Sequence, residues 1–202
     1  MFIDYMKLMS DLSNYASPKA RLTRMLQSGE VVKIKRGLYT KAGDTELSKK
    51  SLAAAIYGPS YISFQSALAF HGMIPEKVAA VTSAVYKKNK NKEYHTPLGS
   101  FYYYYLPETV YPYELQRLEE YGQGYLIASP AKAICDTLYK TTGIETQTEL
   151  EAWLFADMRL DEEQLTALDV EAVNFIAPLY KKRILTKFAE WLNGKVTKCT
   201  VQ

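Results

Sequence analysis

The residues best suited to chemistry are cations, and they come in short groups. Lys19, Arg21 and Arg24 share one six-residue stretch; Lys33, Lys35 and Arg36 share another. Ammonium and guanidinium groups spaced this closely suit a row of phosphates. A protein that neutralises several phosphates of a DNA duplex loses affinity steeply as salt rises. If about seven cations of this region, Lys41 included, met phosphates, log K against log salt would slope by roughly −6. A second group, Lys87, Lys88, Lys90 and Lys92, lies in a run of Lys and Asn only. It extends such a contact, attracts an acidic partner, or is simply a solvated hairpin tip or loop. Lys and Arg also mark ordinary solvated faces, so docking of an acidic protein stands as the rival use for the first group.

Other chemistries find less support. Two histidines, His71 and His95, and two cysteines, Cys135 and Cys199, lie far apart in the sequence. Metal sites need three or four clustered ligands, so no metal and no cofactor is expected. His71, just before Gly72, reads as a helix-end residue bonding a carbonyl, and His95 as part of a polar turn. Cys135 has Ile134 and Leu138 as helical neighbours and reads as a buried, inert thiol. Asp157, Asp161, Glu162, Glu163 and Asp169 resemble a carboxylate cluster. Asp161 and Asp169 are better explained as helix caps, and Glu162 and Glu163 as complements to a helix N-terminus. The run Phe101-Tyr102-Tyr103-Tyr104-Tyr105 alternates faces as a strand, one packed in a core and the other half-exposed. The half-exposed pair suits a protein interface or, less simply, stacking of single-stranded bases. There is no phosphate-binding loop, nucleophile elbow or dinucleotide fingerprint, so no catalytic residues are assigned.

The chain has 202 residues, 23.0 kDa, with 48% hydrophobic and 23% charged residues. That suits a globular chain and excludes a disordered tail, a collagen-like fibre or a small disulfide scaffold. No apolar run of ~20 residues is present, so no membrane-spanning helix is expected. Two distant cysteines and the lack of a signal-peptide pattern suit a reducing cytoplasm. Charge is split along the chain. Residues 1–100 hold 15 Lys and Arg against 7 Asp and Glu, a net of +8; residues 101–202 hold 10 against 15, a net of −5. A basic front end that meets an anion is implied.

Elements that would position the cations follow from pattern. Ile3, Met6, Leu8, Met9 and Leu12 recur at helical spacing and predict a helix of about three turns. Ser17-Pro18 restarts a helix whose apolar face is Leu22, Met25 and Leu26, with Gly29 ending it. Residues 31–35 and 38–40 predict two short strands joined at Arg36-Gly37. Helix, turn, helix and hairpin outline a winged helix-turn-helix over residues 1–44, with the second helix aimed at a major groove and the hairpin as the wing. A polar linker leads into a second unit, residues 45–202. There, Ser48 caps a helix to about Tyr57; strands are predicted at residues 61–63, 80–86, 101–106 and 125–128; helices at 65–71 and from Ser129-Pro130 to about Tyr139. Residues 148–192 read as helices broken near Asp161, Asp169 and Pro178. The fold class is α+β.

Four segments carry a further signal: GEVVKIKRGLYT (29–40), GPSYISFQSALAFHGMIPE (58–76), the stretch from Ala80 to Leu106 with Thr96, Gly99, Phe101 and Tyr103, and IASPAKAICDTLY (127–139). In order and spacing these resemble the AbiEi-type antitoxin and transcriptional regulator family of type IV toxin–antitoxin (abortive infection) systems. Ala131 departs from the family, which usually has Glu there. The resemblance implies that the winged domain represses its own operon by binding operator DNA. It also implies that the C-terminal domain helps neutralise a nucleotidyltransferase-like toxin. It carries Lys19, Arg21, Arg24, Lys33, Lys35 and Arg36 over as candidate DNA contacts, and says nothing of toxin-facing residues. A solitary regulator without a toxin, or a protein-docking module without DNA, are the alternatives. Oligomeric state stays open.

Overall fold

The computed structural model describes residues 1–199, and the side chain of Cys199 lies outside the described residues. The chain is a mixed α+β protein. It opens with strand β1 (Phe2–Asp4), helices α1 (Tyr5–Asp11) and α2 (Pro18–Gln27), and a hairpin of β2 (Val31–Lys35) and β3 (Leu38–Lys41). These strands form a three-stranded antiparallel sheet in the order β1-β3-β2. The single opening helix expected from residue 3 is therefore corrected. Ile3 pairs with Tyr39 in the sheet, and Asp4 then caps α1 by accepting from the Lys7 N–H at 2.8 Å. Three alternating residues fit a strand as well as a helix, and the edge of β3 decided between them.

The hairpin has an irregularity between Lys33 and Lys35 that shifts the pairing. Side chains along a strand alternate faces, and the bulge, two residues opposite one, puts Ile34 and Lys35 on the same face as Leu38. Val31 and Tyr39 accordingly pack with Leu8, Leu12 and Leu22 in a small core under the two helices. Ile34 and Leu38 join the main core of the chain on the other face. The N-terminal sheet is thus a shared layer between its own helices and the rest of the protein.

The remainder is built on a six-stranded mixed sheet in the order β6-β7-β5-β4-β9-β8. Its strands are β4 (Ser60–Ile62), β5 (Val81–Val85), β6 (Lys92–Thr96), β7 (Gly99–Tyr105), β8 (Leu115–Glu120) and β9 (Gln123–Ala128). Helix α3 (Lys49–Ile56) enters on the Ser48 cap and lies on one face, where the Tyr103 hydroxyl donates to the Ala53 carbonyl at 2.8 Å. Helices α4 (Phe64–Phe70) and α5 (Pro130–Lys140) cover the other face, tied to it through Tyr61 and Asp136. Beyond α5 come α6 (Gln147–Ala152), a wide-turned continuation (Trp153–Asp157), α7 (Glu162–Thr166) and α8 (Val170–Ile176). A 3-10 turn (Ala177–Tyr180) then leads to α9 (Arg183–Cys199). Breaks fall where Asp161 and Asp169 cap α7 and α8. None of the helices among the described residues is long and apolar enough to cross a membrane.

Candidate nucleic-acid interface

Helix α2 puts Leu22, Met25 and Leu26 against the small core, and leaves Lys19, Ala20, Thr23, Arg24 and Gln27 exposed. Pro18 fixes its first turn, and no acid lies there to oppose an approaching anion. On the hairpin, Lys33 and Arg36 are exposed, and Lys41 ends β3 exposed as well. Gly37 takes φ +82°, the left-handed geometry that the two-residue connection needs.

Two of the six expected contacts are engaged inside the protein. The Arg21 guanidinium pairs with Glu30 at 3.1 Å and lies 5.4 Å from the centre of the Tyr15 ring, tying the start of α2 to the start of β2. Lys35 is half-buried, and its ammonium donates to the Ile56 carbonyl at the end of α3. Burial holds its pKa below the ordinary lysine value. Alternation sends Ile34 into the main core, and the bulge carries Lys35 to the same face toward α3, which no periodicity in the sequence announces. Lys19, Arg24, Lys33 and Arg36 remain, with Lys41 beside them.

The acids of residues 1–44 sharpen this picture. Asp4 caps α1, Asp11 pairs with Lys7 at 2.7 Å, Glu30 pairs with Arg21, and Asp44 holds the terminal amine of Met1. Among the described residues, Lys19, Arg24, Lys33, Arg36 and Lys41 have no acidic partner in the structure. Each carboxylate of the unit is spent on the fold, and five cations face outward.

The lysine run is a loop rather than a hairpin tip, one of the two forms its composition suggested. Strand β5 runs parallel to β7, while β6 is antiparallel to β7 on its far side. Residues 87–91 therefore cross the end of β7, where the Tyr105 N–H donates to Asn91 Oδ1 at 3.3 Å, and Lys92 already belongs to β6. Lys88 sits 5.4 Å from the centre of the Tyr57 ring, and Lys87 5.3 Å from that of Tyr86. Lys90 and Lys92 are exposed. Lys35 bonds Ile56 and Lys88 covers Tyr57, so hairpin and lysine loop meet at one end of α3.

The other singled-out residues have local partners. His71 ends α4, and its Nε2 bonds a carbonyl, that of Ala128 at the end of β9, at 2.8 Å. His95 lies in β6 rather than a turn. Its ring sits between Glu93 Oε1 at 2.5 Å and Ser100 Oγ at 2.9 Å, on a side chain 67% exposed. Cys135 is fully buried, and burial raises its thiol pKa. Phe101 and Tyr103 are buried, whereas Tyr102 and Tyr104 are half-buried, with Tyr104 packed edge-on against Phe64 at 4.9 Å. Among the described residues, no three His, Cys, Asp or Glu groups are gathered to hold a metal ion.

One constellation escaped the sequence reading. On α5, Lys132 and Asp136 are wholly buried, 3.3 Å apart. The carboxylate accepts from Tyr61 at 2.9 Å, from Ser63 at 2.6 Å, and from Tyr180. The ammonium donates to the Val110 carbonyl at 2.6 Å and to the Tyr180 hydroxyl at 3.0 Å. Burial and the Asp136 charge push the Tyr61 and Tyr180 hydroxyls far above their usual pKa. The signal was present: Lys and Asp four apart within the otherwise small and apolar Ala131-to-Leu138 face.

No protein-family model matches the chain, and no curated protein sequence matches it.

Proposed function

We propose that residues 1–44 form a winged helix-turn-helix that binds a DNA duplex, and that the protein represses its own operon. The observation that carries this is the asymmetry just described: five unpartnered cations on α2 and the hairpin, with every acid of the unit engaged elsewhere. Helix α2 enters the major groove with Thr23, Arg24 and Gln27 on its open side, and Lys33 and Arg36 hold the flanking backbone. Lys90 and Lys92, at the same end of α3 as the hairpin, add phosphate contacts from the second unit. Five contacts from the N-terminal unit alone give a salt slope of about −4.5, shallower than the sequence count suggested. The antitoxin half of the reading rests on the four-segment resemblance to AbiEi-type proteins, and names a nucleotidyltransferase-like toxin as the second partner.

A gel shift with the operon's own upstream DNA at moderate salt tests the first half. The expected result is a sequence-specific shift that Lys33→Ala/Arg36→Ala removes while the melting temperature holds. No specific shift, or one indifferent to that pair, overturns the reading; binding of an acidic protein by the same residues would then replace it. The second half is tested by looking for a nucleotidyltransferase-like frame beside this one and co-expressing it: rescue of growth is expected, and the absence of such a frame or continued toxicity overturns it.

A further inference from the structure

A groove of about 560 Å³ lies where the segment leading into α3 meets α4, the loop before β5 and the β8–β9 turn. That volume is in the range of small-molecule sites. Its floor is apolar, with Ile62, Ala69 and Val81 lining it. Two aromatic rings stand at its walls in contact with water: Phe70 is 44% exposed and Tyr121 58%. Exposed rings flanking a concavity offer apolar area that a ligand can bury.

The charges of the groove do not cancel. Glu120 is held by Lys50 at 2.8 Å and by the Ser48 hydroxyl at 2.6 Å, and Glu76 is held by Arg159. Lys49 and Lys77 line the same groove, are exposed, and have no acidic partner among the described residues. Both carboxylates are neutralised by cations of the fold, and two ammonium groups are left over. Lys50 also rests 5.6 Å from the Phe70 ring centre and 5.5 Å from that of Tyr125, which fixes one wall in place.

We propose that this groove binds a small aromatic anion, a flat ring carrying a carboxylate or, directly or through an attached sugar, a phosphate. The ring lies on the apolar floor against Phe70 and Tyr121, where stacking and area burial act together. Its anionic group meets Lys49 and Lys77, which have nothing else to neutralise. The groove also touches the connection between the two units. Its lining includes Thr45 and Leu47 of the connecting segment, while the opposite end of α3 receives Lys35 from the hairpin.

Isothermal titration of the full chain without DNA tests the site alone, with AMP, 4-hydroxybenzoate and inorganic phosphate as probes. Saturable one-to-one binding of AMP or 4-hydroxybenzoate is expected, with phosphate weaker by about tenfold or more. Lys49→Gln/Lys77→Gln, two exposed positions, weakens the aromatic anion by about tenfold without moving the melting temperature. Whether AMP or 4-hydroxybenzoate binds the tighter assigns phosphate or carboxylate. Binding of neither aromatic anion overturns the proposal, as does equal binding in the double variant. Phosphate binding as tightly as AMP overturns the aromatic part of it.

Discussion

Two regions of this protein use the same side chains in opposite ways. Around Asp136, one lysine, one aspartate and three hydroxyl groups are shut away from water, and each charge has several partners. On α2 and the hairpin, five cations stand in water and none has an acidic partner among the described residues. Burying a charge is tolerated only when hydrogen bonds replace its hydration, so the first region is a constraint on the fold. It joins β4, α5, the segment at Val110 and Tyr180 near the chain's C-terminal helices. An exposed cation costs little to keep and contributes little to stability, so the second region has energy left for a ligand. Where a charge has already found its partners, it constrains the fold; where it has not, it is open to a partner from outside.

The comparison breaks most easily at Asp136. Asp136→Ala leaves the Lys132 ammonium buried without its counter-ion and strips three hydroxyl groups of their acceptor. The expected loss is about 3–5 kcal/mol, measured by urea denaturation. Arg24→Gln, on the open face of α2, should move stability by no more than about 0.5 kcal/mol while weakening duplex binding. A loss at Asp136 as small as that at Arg24 would erase the distinction between the regions.

A smaller effect lies at the boundary. Glu120 bonds Lys50 and Ser48 where the segment from the N-terminal sheet reaches the β8–β9 turn. Partial burial alone would raise its pKa, but the bonds from Lys50 and Ser48 and the Lys50 charge together bring it below the ordinary value of 4.5. A carboxyl depressed in the folded state stabilises the protein above its unfolded pKa. That contribution is lost as pH falls through the lower, folded value. Stability should therefore drop as pH goes below about 4.5, by no more than about 1 kcal/mol from this group. Glu120→Gln should flatten that part of the curve; an unchanged acid limb would show that the pair does not hold the junction.

Much of this was written in local signals. Ser17-Pro18, Ser48 and Ser129-Pro130 each open a helix, and Asp161 and Asp169 cap theirs, because caps depend on residues a few positions apart. Arg36-Gly37 marked the hairpin turn for the same reason. What escaped was non-local. Ile3 became a strand because β3 offered it an edge. The lysine loop proved to be a crossover because β7 inserts between β5 and β6. Lys35 turned inward at a bulge, and Asp136 found Tyr61 and Tyr180 many residues away in the chain. The basic groups were visible as residues; which of them were free depended on contacts that only the folded chain makes.

Arg21 tests that last point with the smallest expected change. It belongs by sequence to the open face and by structure to the fold, since Glu30 holds it at 3.1 Å. The pair is solvated on both sides, with 33% and 49% of the two side chains exposed, so it adds little to stability. Glu30→Gln should accordingly leave the melting temperature nearly unchanged. It removes the carboxylate that holds Arg21 and leaves the guanidinium free to turn outward. Duplex affinity should rise, and the salt slope should steepen by up to about one unit, because one more phosphate can be neutralised. Glu30→Gln/Arg21→Gln should return the slope to its starting value. If the slope steepens in both variants, the gain comes from removing a repelling carboxylate and Arg21 remains a structural residue. If it steepens in the single variant alone, the partner of a cation is what separates the two regions.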